Sequence, residues 1–158
     1  MGDSLKVFDY VKKYLPLDVV KTLDNLNSSQ EQGITEIRIR RNMPVTFVID
    51  NRIKFADRFC QTLAVLPKEP LIISSQEFDD MFNRLCSYSV YSNMTNLKNG
   101  YITLENGSRV GVCSTAVYED DNLVSVKDVT SVNIRIPRQA VGCSRDIVSK
   151  TFANGVCS

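Results

Sequence analysis

The hydrophobic period of the chain switches between helical and alternating three times. Leu5, Phe8, Val11 and Leu15 recur at near-helical spacing until Pro16 interrupts them, and Val19, Val20, Leu23 and Leu26 form a second stripe. Two short helices are predicted there. The stripe fades into the polar residues 27–33, which read as an internal linker. From Ile34 the period becomes two: Ile37 and Ile39 alternate with Glu36, Arg38 and Arg40. Asn42-Met43-Pro44 turns the chain, Val45, Phe47 and Ile49 continue the alternation, and Asp50-Asn51 is a tight turn into Ile53 and Phe55. The pattern predicts an antiparallel meander with one charged face.

Residues 57–73 carry Pro67 and Pro70 and read as an irregular surface loop. A helix follows, because Ser74 and Glu77 have capping-box spacing and Phe78, Met81, Phe82 and Leu85 share one buried face. Residues 87–99 read as a short helix ending in a turn at Asn99-Gly100. Strands are predicted at 101–105 and 108–118 around Asn106-Gly107, a strong hairpin signal. Asp120-Asp121-Asn122 turns the chain into strands at 123–127 and 132–137, and Gly142 precedes a short helix at 144–152. The fold class is therefore α+β, largely antiparallel sheet with flanking helices. Its organisation reads as a helical segment at 1–33 and a sheet domain at 34–143, with the short helix at 144–152 after it.

The 158 residues suit one domain with a real core. A formal net charge of +1 provides no global field toward nucleic acid or anionic lipid. No stretch approaches the roughly 18 apolar residues of a membrane span. Asp3, Lys6, Asp9, Lys12 and Lys13 interrupt the N-terminal segment where a secretory signal would be apolar. A cytoplasmic protein is expected. Cysteines 60, 86, 113, 143 and 157 are odd in number and widely spaced, so they read as reduced core residues rather than a disulfide frame or zinc site.

With no histidine, the chain has no Ser-His-Asp triad, Cys-His pair or histidine metal ligand. No Gly-x-x-x-x-Gly-Lys-Ser/Thr or Gly-x-Gly-x-x-Gly occurs. Asp79-Asp80 and Glu119-Asp120-Asp121 read as solvated charge, and neither a catalytic nor a metal site is assigned. Two basic groups remain. Arg38, Arg40 and Arg41 follow the first strand as a possible binding face, and Arg135, Arg138 and Arg145 cluster near the end, with Arg109 in the preceding hairpin. A nucleic-acid-binding module using the Arg38-Arg40-Arg41 face is the alternative reading. No aromatic residues interleave with those arginines, so nucleic acid is not the expected partner.

Three blocks carry a resemblance: Gly100-Tyr101-Ile102-Thr103-Leu104, Gly107-Ser108-Arg109-Val110-Gly111 and Asn133-Ile134-Arg135-Ile136-Pro137-Arg138. With Glu36-Ile37-Arg38-Ile39-Arg40, Met43-Pro44, Ser87 to Tyr91 and Gly142-Cys143, they resemble the N-terminal half of the stage III sporulation protein AA family of spore-forming bacteria. The likeness covers residues 5–155. It implies a fold like the N-terminal domains of type II and type IV secretion ATPases, followed by a RecA-like motor with the Walker motifs. Residues 144–158 then begin the connection to that motor, with Ser158 just before the strand leading to its P-loop.

The resemblance implies a regulatory and oligomerisation domain of a mother-cell ATPase, peripheral to a membrane complex, that powers transport between mother cell and forespore. ATP and Mg are expected for the full-length protein and no cofactor for these residues. The implied partners are the C-terminal ATPase domain, five further copies in a homo-hexamer and other proteins of the transport complex. A protein-docking role for the strand faces is compatible with this. Relatives in the superfamily reach nucleotide with arginines of this domain, which nominates Arg135 and Arg138, and then Arg109. Ser108 replaces a frequent histidine, and Pro137 and Gln139 stand where alanine and glutamate are common, so no role needing an acid at 139 carries over. Without a Walker lysine or a metal-binding carboxylate set, residues 1–158 alone are expected to hydrolyse no ATP above background. Steady turnover surviving repurification would contradict this.

Overall fold

The computed structural model describes residues 9–137. A helical turn at residues 9–12 leads to α1 (Leu17–Asp24) and α2 (Ser28–Gly33). The strands are β1 (Ile34–Arg40), β2 (Thr46–Ile49), β3 (Arg52–Ala56), β4 (Thr62–Leu63), β5 (Tyr101–Thr103), β6 (Arg109–Glu119) and β7 (Asn122–Arg135). Helices α3 (Ser75–Leu85) and α4 (Met94–Lys98) lie between β4 and β5 in sequence, with a 3₁₀ turn at Tyr91–Asn93 before α4. The seven strands form one antiparallel sheet in the order β4-β3-β2-β1-β7-β6-β5. This is the α+β fold the periodicity predicts. The helix predicted at 144–152 lies outside the described residues.

Local chemistry explains most of the elements. Ser74 Oγ accepts from Glu77 N, and Glu77 Oε2 accepts from Ser74 N at 3.0 Å, which satisfies two of the free backbone donors at the start of α3. Phe78, Met81, Phe82 and Leu85 are buried as their spacing requires. The two-residue turns Asp50-Asn51 and Asp120-Asp121 have positive φ at both positions, the geometry whose twist matches antiparallel strands. In the third hairpin Gly107 takes φ 82°, and Leu104 N donates to Ser108 O at 2.8 Å.

Four segments differ from the sequence expectation. Residues 27–33 are not an irregular linker: Asn27 and Gln30 form a reciprocal cap, and α2 runs directly into β1. Local capping outweighs the missing apolar stripe there. Residues 57–73 form β4 and two isolated bridges, and Leu71 N donates to Ala56 O at 2.9 Å. The strands expected at 123–127 and 132–137 are one strand, β7. The polar run between them is absorbed as a bulge, with Asp128 at φ 49° and Ser114 of β6 facing three residues of β7. Finally, the turn after β2 pairs Ile49 with Arg52 and so sets Ile53 opposite Val48, leaving Ile53 49% exposed on the outer face. That half of the outer face is apolar rather than charged.

One face of the sheet is the core. Ile37, Ile39, Phe47, Ile49, Ile102, Val110, Val132 and Ile134 join Val19 and Leu23 of α1, the apolar face of α3 and Leu97 of α4 in a single buried cluster. Cys60 and Cys86 are buried as expected of core residues, but Cys113 is exposed. Among the described residues no helix is long and apolar enough to cross a membrane. Phe82→Ala is expected to cost about 3–5 kcal/mol, the usual range for truncating a buried Phe. An unchanged urea midpoint would mean that the α3 face does not pack on the sheet.

Candidate functional site

The outer face of the sheet follows from alternation and register together. Because Ile37 and Ile39 point into the core, Glu36, Arg38 and Arg40 point out. Three rows of outward side chains then cross the strands. Arg38 pairs with Asn133, Asn133 with Gly111 and Gly111 with Tyr101. On one side of that row Glu36 pairs with Arg135, and Arg109 pairs with Thr103. The Val110–Ile134 pairing carries Arg109 opposite Arg135. On the other side Arg40 pairs with Ser131, and Ser131 with Cys113.

Glu36, Tyr101, Arg109, Gly111, Asn133 and Arg135 line a shallow cavity of about 200 Å³. Gly111 supplies its floor because it has no side chain. A Cβ there would meet Asn133 Cβ at an ordinary 3.7 Å, so the cavity is open by choice of residue rather than by backbone strain. Arg109 stacks on the Tyr101 ring, with Cζ 4.6 Å from the centroid, which holds the guanidinium at the cavity wall. Arg135 is exposed and makes no side-chain hydrogen bond or ion pair among the described residues.

Arg38 donates from Nη2 to Glu36 Oε2 at 3.1 Å, a bond that holds the proton more tightly on the guanidinium. Its Nε is buried with no acceptor among the described residues. Arg40 is exposed, and among the described residues its side chain has no partner. Across these rows four arginines face a single carboxylate, Glu36, which is already paired. The face therefore carries an excess of positive charge. Among the described residues no group of three or more His, Cys, Asp or Glu is placed to hold a metal ion.

Arg41 stands apart from this face. Its guanidinium donates to Asp79 Oδ1 at 2.6 Å, to Ser75 O at 3.2 Å and to Val129 O at 3.3 Å, and it lies 4.6 Å from the Phe78 ring. It is a clamp joining the end of β1 to α3 and β7, and its hydrogen-bonding capacity is used internally. Asp79, which reads in the sequence as solvated charge, is the other half of that clamp. Arg138 and Arg145 lie outside the described residues. The sequence separates Arg38 and Arg40 from Arg109 and Arg135, whereas the fold puts all four on one face. Tyr101, Gly111, Asn133 and Glu36 are absent from the sequence-level list. Alternation marks their facing, but only the strand order brings them together.

The Arg41 hydrogen bond pulls the Asp79 carboxyl below the usual carboxylate range. A folded-state pKa below the unfolded one, which lies near 4, contributes stability that is complete above the unfolded value and lost as pH falls through the folded one. Asp79→Asn is accordingly expected to lower the urea midpoint at neutral pH and to flatten its fall in acid. Superimposable acid limbs for the two proteins would show that the pair contributes nothing.

The profile of the family described as "Sporulation stage III, protein AA" matches residues 8–158. The chain is similar to Stage III sporulation protein AA of Bacillus subtilis (strain 168), 26% identical over an alignment of 148 residues that covers 91% of this chain and 43% of that protein. It thus spans less than half the length of that relative. Among solved structures it is similar to the VirB11 ATPase of the Brucella suis type IV secretion system in complex with sulphate. That match has 13% identity and a TM-score of 0.44 over 99% of this chain and 39% of that one.

Proposed function

The chain belongs to the sporulation stage III, protein AA family, and from that premise we propose that it is the N-terminal regulatory and oligomerisation domain of a secretion-type ATPase. In this reading a RecA-like motor in the remainder of the protein binds and hydrolyses ATP. The domain presents Arg109 and Arg135 to the nucleotide's phosphates; Arg138, the third arginine the sequence nominates, lies outside the described residues. The complete protein works as a homo-hexamer in the mother-cell cytoplasm, peripheral to a membrane complex of sporulation transport proteins. No magnesium ligand is assigned to the described residues.

The observation that carries the reading is the convergence of Arg109 and Arg135 across one shallow cavity whose other walls are Tyr101, Asn133 and Glu36. A planar guanidinium binds phosphate oxygens through two parallel bonds and stays charged at every relevant pH. Tyr101 fixes the first fork by stacking, and Gly111 keeps the space between the two forks clear. Glu36, held by Arg38, supplies a carboxylate that sets a limit on how much negative charge the near wall accepts. These groups bind and orient.

Arg135→Ala in the full-length protein is expected to cut ATPase activity at least about tenfold, the worth of one charge-assisted contact at ~1.4 kcal/mol. The isolated chain should stay folded. Arg135→Lys should restore little, because an ammonium lacks the fork. Wild-type turnover in both Arg135→Ala and Arg109→Ala would remove the nucleotide role from this face.

A further inference from the structure

Beyond Cys113 on β6 and Ser131 on β7, these two strands run past the strands that flank them. β5 pairs only with Arg109–Gly111, and β1 only with residues 131–135 of β7. Past the bulge, residues 115–119 and 122–127 therefore run on as a two-stranded ribbon whose tip lies about 20 Å from Cys113 at ~3.3 Å per residue. One flank rests on α4, where Ser125 Oγ meets Met94 Sδ at 3.8 Å. The other flank, the β6 edge, has register shifts at Cys113/Thr115 and Val117/Tyr118, and bulges of that kind blunt an edge against strand addition. The feature that remains free to engage a partner is the tip.

At the tip, Glu119, Asp120 and Asp121 are consecutive, exposed and without a side-chain partner among the described residues. The turn does not call for them. With φ 48° and 64° at Asp120 and Asp121, asparagine or glycine would fit the geometry as well without setting like charges side by side. At the other end of the molecule's charge distribution lie Arg38, with a single carboxylate partner, and Arg40, with none among the described residues. The ribbon carries its tip about 20 Å away from the Arg40 row, so a chain's own tip does not reach its own arginines without the ribbon folding back on itself.

We propose that the outer sheet face at Arg38 and Arg40 docks the Glu119-Asp120-Asp121 ribbon tip of a second copy of this chain, head to tail. Complementary charge on two separate surfaces of one chain makes a heterologous contact, and repeating the same operation gives a ring where the rotation closes and an open string where it does not. Bidentate Arg–carboxylate bonds give the contact its register. Arg109 and Arg135 lie farther along the strands from the ribbon base and stay available to a nucleotide. The proposal rests on the ring-forming reading only for closure; the contact itself rests on the geometry of the ribbon and the face.

The test is a charge swap, read by sedimentation velocity on the 158-residue chain at about 50 mM salt, where exposed charges are least screened. The wild type should self-associate, and association should fall as salt is raised. Glu119→Lys with Asp121→Lys, and separately Arg38→Glu with Arg40→Glu, should each weaken association at least about tenfold. An equimolar mixture of the two variants should restore it, because each then offers the charge the other lacks. Arg40→Glu alone serves as the face variant where the double substitution fails to fold by circular dichroism. A wild-type chain that stays monomeric at about 0.5 mM, far above the micromolar range of ordinary specific contacts, would overturn the proposal. So would association untouched by either variant, or a mixture that stays dissociated. A monomeric chain whose Arg38–Arg40 face instead binds a short oligonucleotide with a steep salt slope would assign the face to nucleic acid. Failure here with loss of ATPase in Arg135→Ala would leave the nucleotide role standing.

Discussion

The pairing of β1 with β7 is the constraint on which the rest of the structure depends. It joins two local meanders, β1 to β4 and β5 to β7, across nearly the whole described chain, and it is the one place where their strands meet. Glu36 lies opposite Arg135 and Arg40 opposite Ser131, and hydrogen bonds at both ends lock that register: Ile136 N to Thr35 O at 2.9 Å and Arg41 N to Thr130 O at 2.9 Å. A slip of one residue would turn Ile37 and Ile39 outward and bury Arg38 and Arg40. The cost of burying two guanidinium groups without partners makes that alternative untenable. The Arg41 guanidinium reinforces the same end of the strand pair by tying it to α3 and to Val129 of β7.

Given that register, the outer face divides into territories with different chemistry. Val48, Ile53, Phe55 and Leu63 make the β2–β4 side apolar. Arg38 and Arg40 form a basic strip on β1, and Arg109 and Arg135 frame the cavity over β6 and β7. Each territory is a consequence of alternation on a strand whose inner residues fill the core. Function on this domain is therefore read on the face the core leaves behind. The proposed division of labour uses the framed pair for nucleotide and the strip for a neighbouring copy.

What the sequence made legible was local. The α3 cap, the Asn106-Gly107 hairpin and the two-residue turns are written in adjacent residues, and the structure reproduces them. What it hid was either non-local or compensated. Residues 27–33 lack an apolar stripe, yet Asn27 and Gln30 cap each other. The polar run at 128–131 looks like a strand break, yet Asp128 takes a left-handed conformation and the strand continues. Arg41 looks like a third member of a basic face, yet the strand ends one residue earlier and its side chain turns to Asp79. The convergence of Arg38 and Arg40 with Arg109 and Arg135 needed the strand order, because residues some 70 to 95 positions apart become neighbours only through β1 and β7.

The central claim is that Arg109 and Arg135 face a nucleotide in the complete protein. Arginine-selective footprinting with phenylglyoxal, followed by mass spectrometry, tests it most directly with and without a bound non-hydrolysable ATP analogue. Arg52, exposed at the turn between β2 and β3, is the internal reference. The account predicts that Arg109 and Arg135 lose reactivity when the analogue binds while Arg52 keeps its own. Equal modification of Arg109 and Arg135 in the free and nucleotide-bound protein would contradict it.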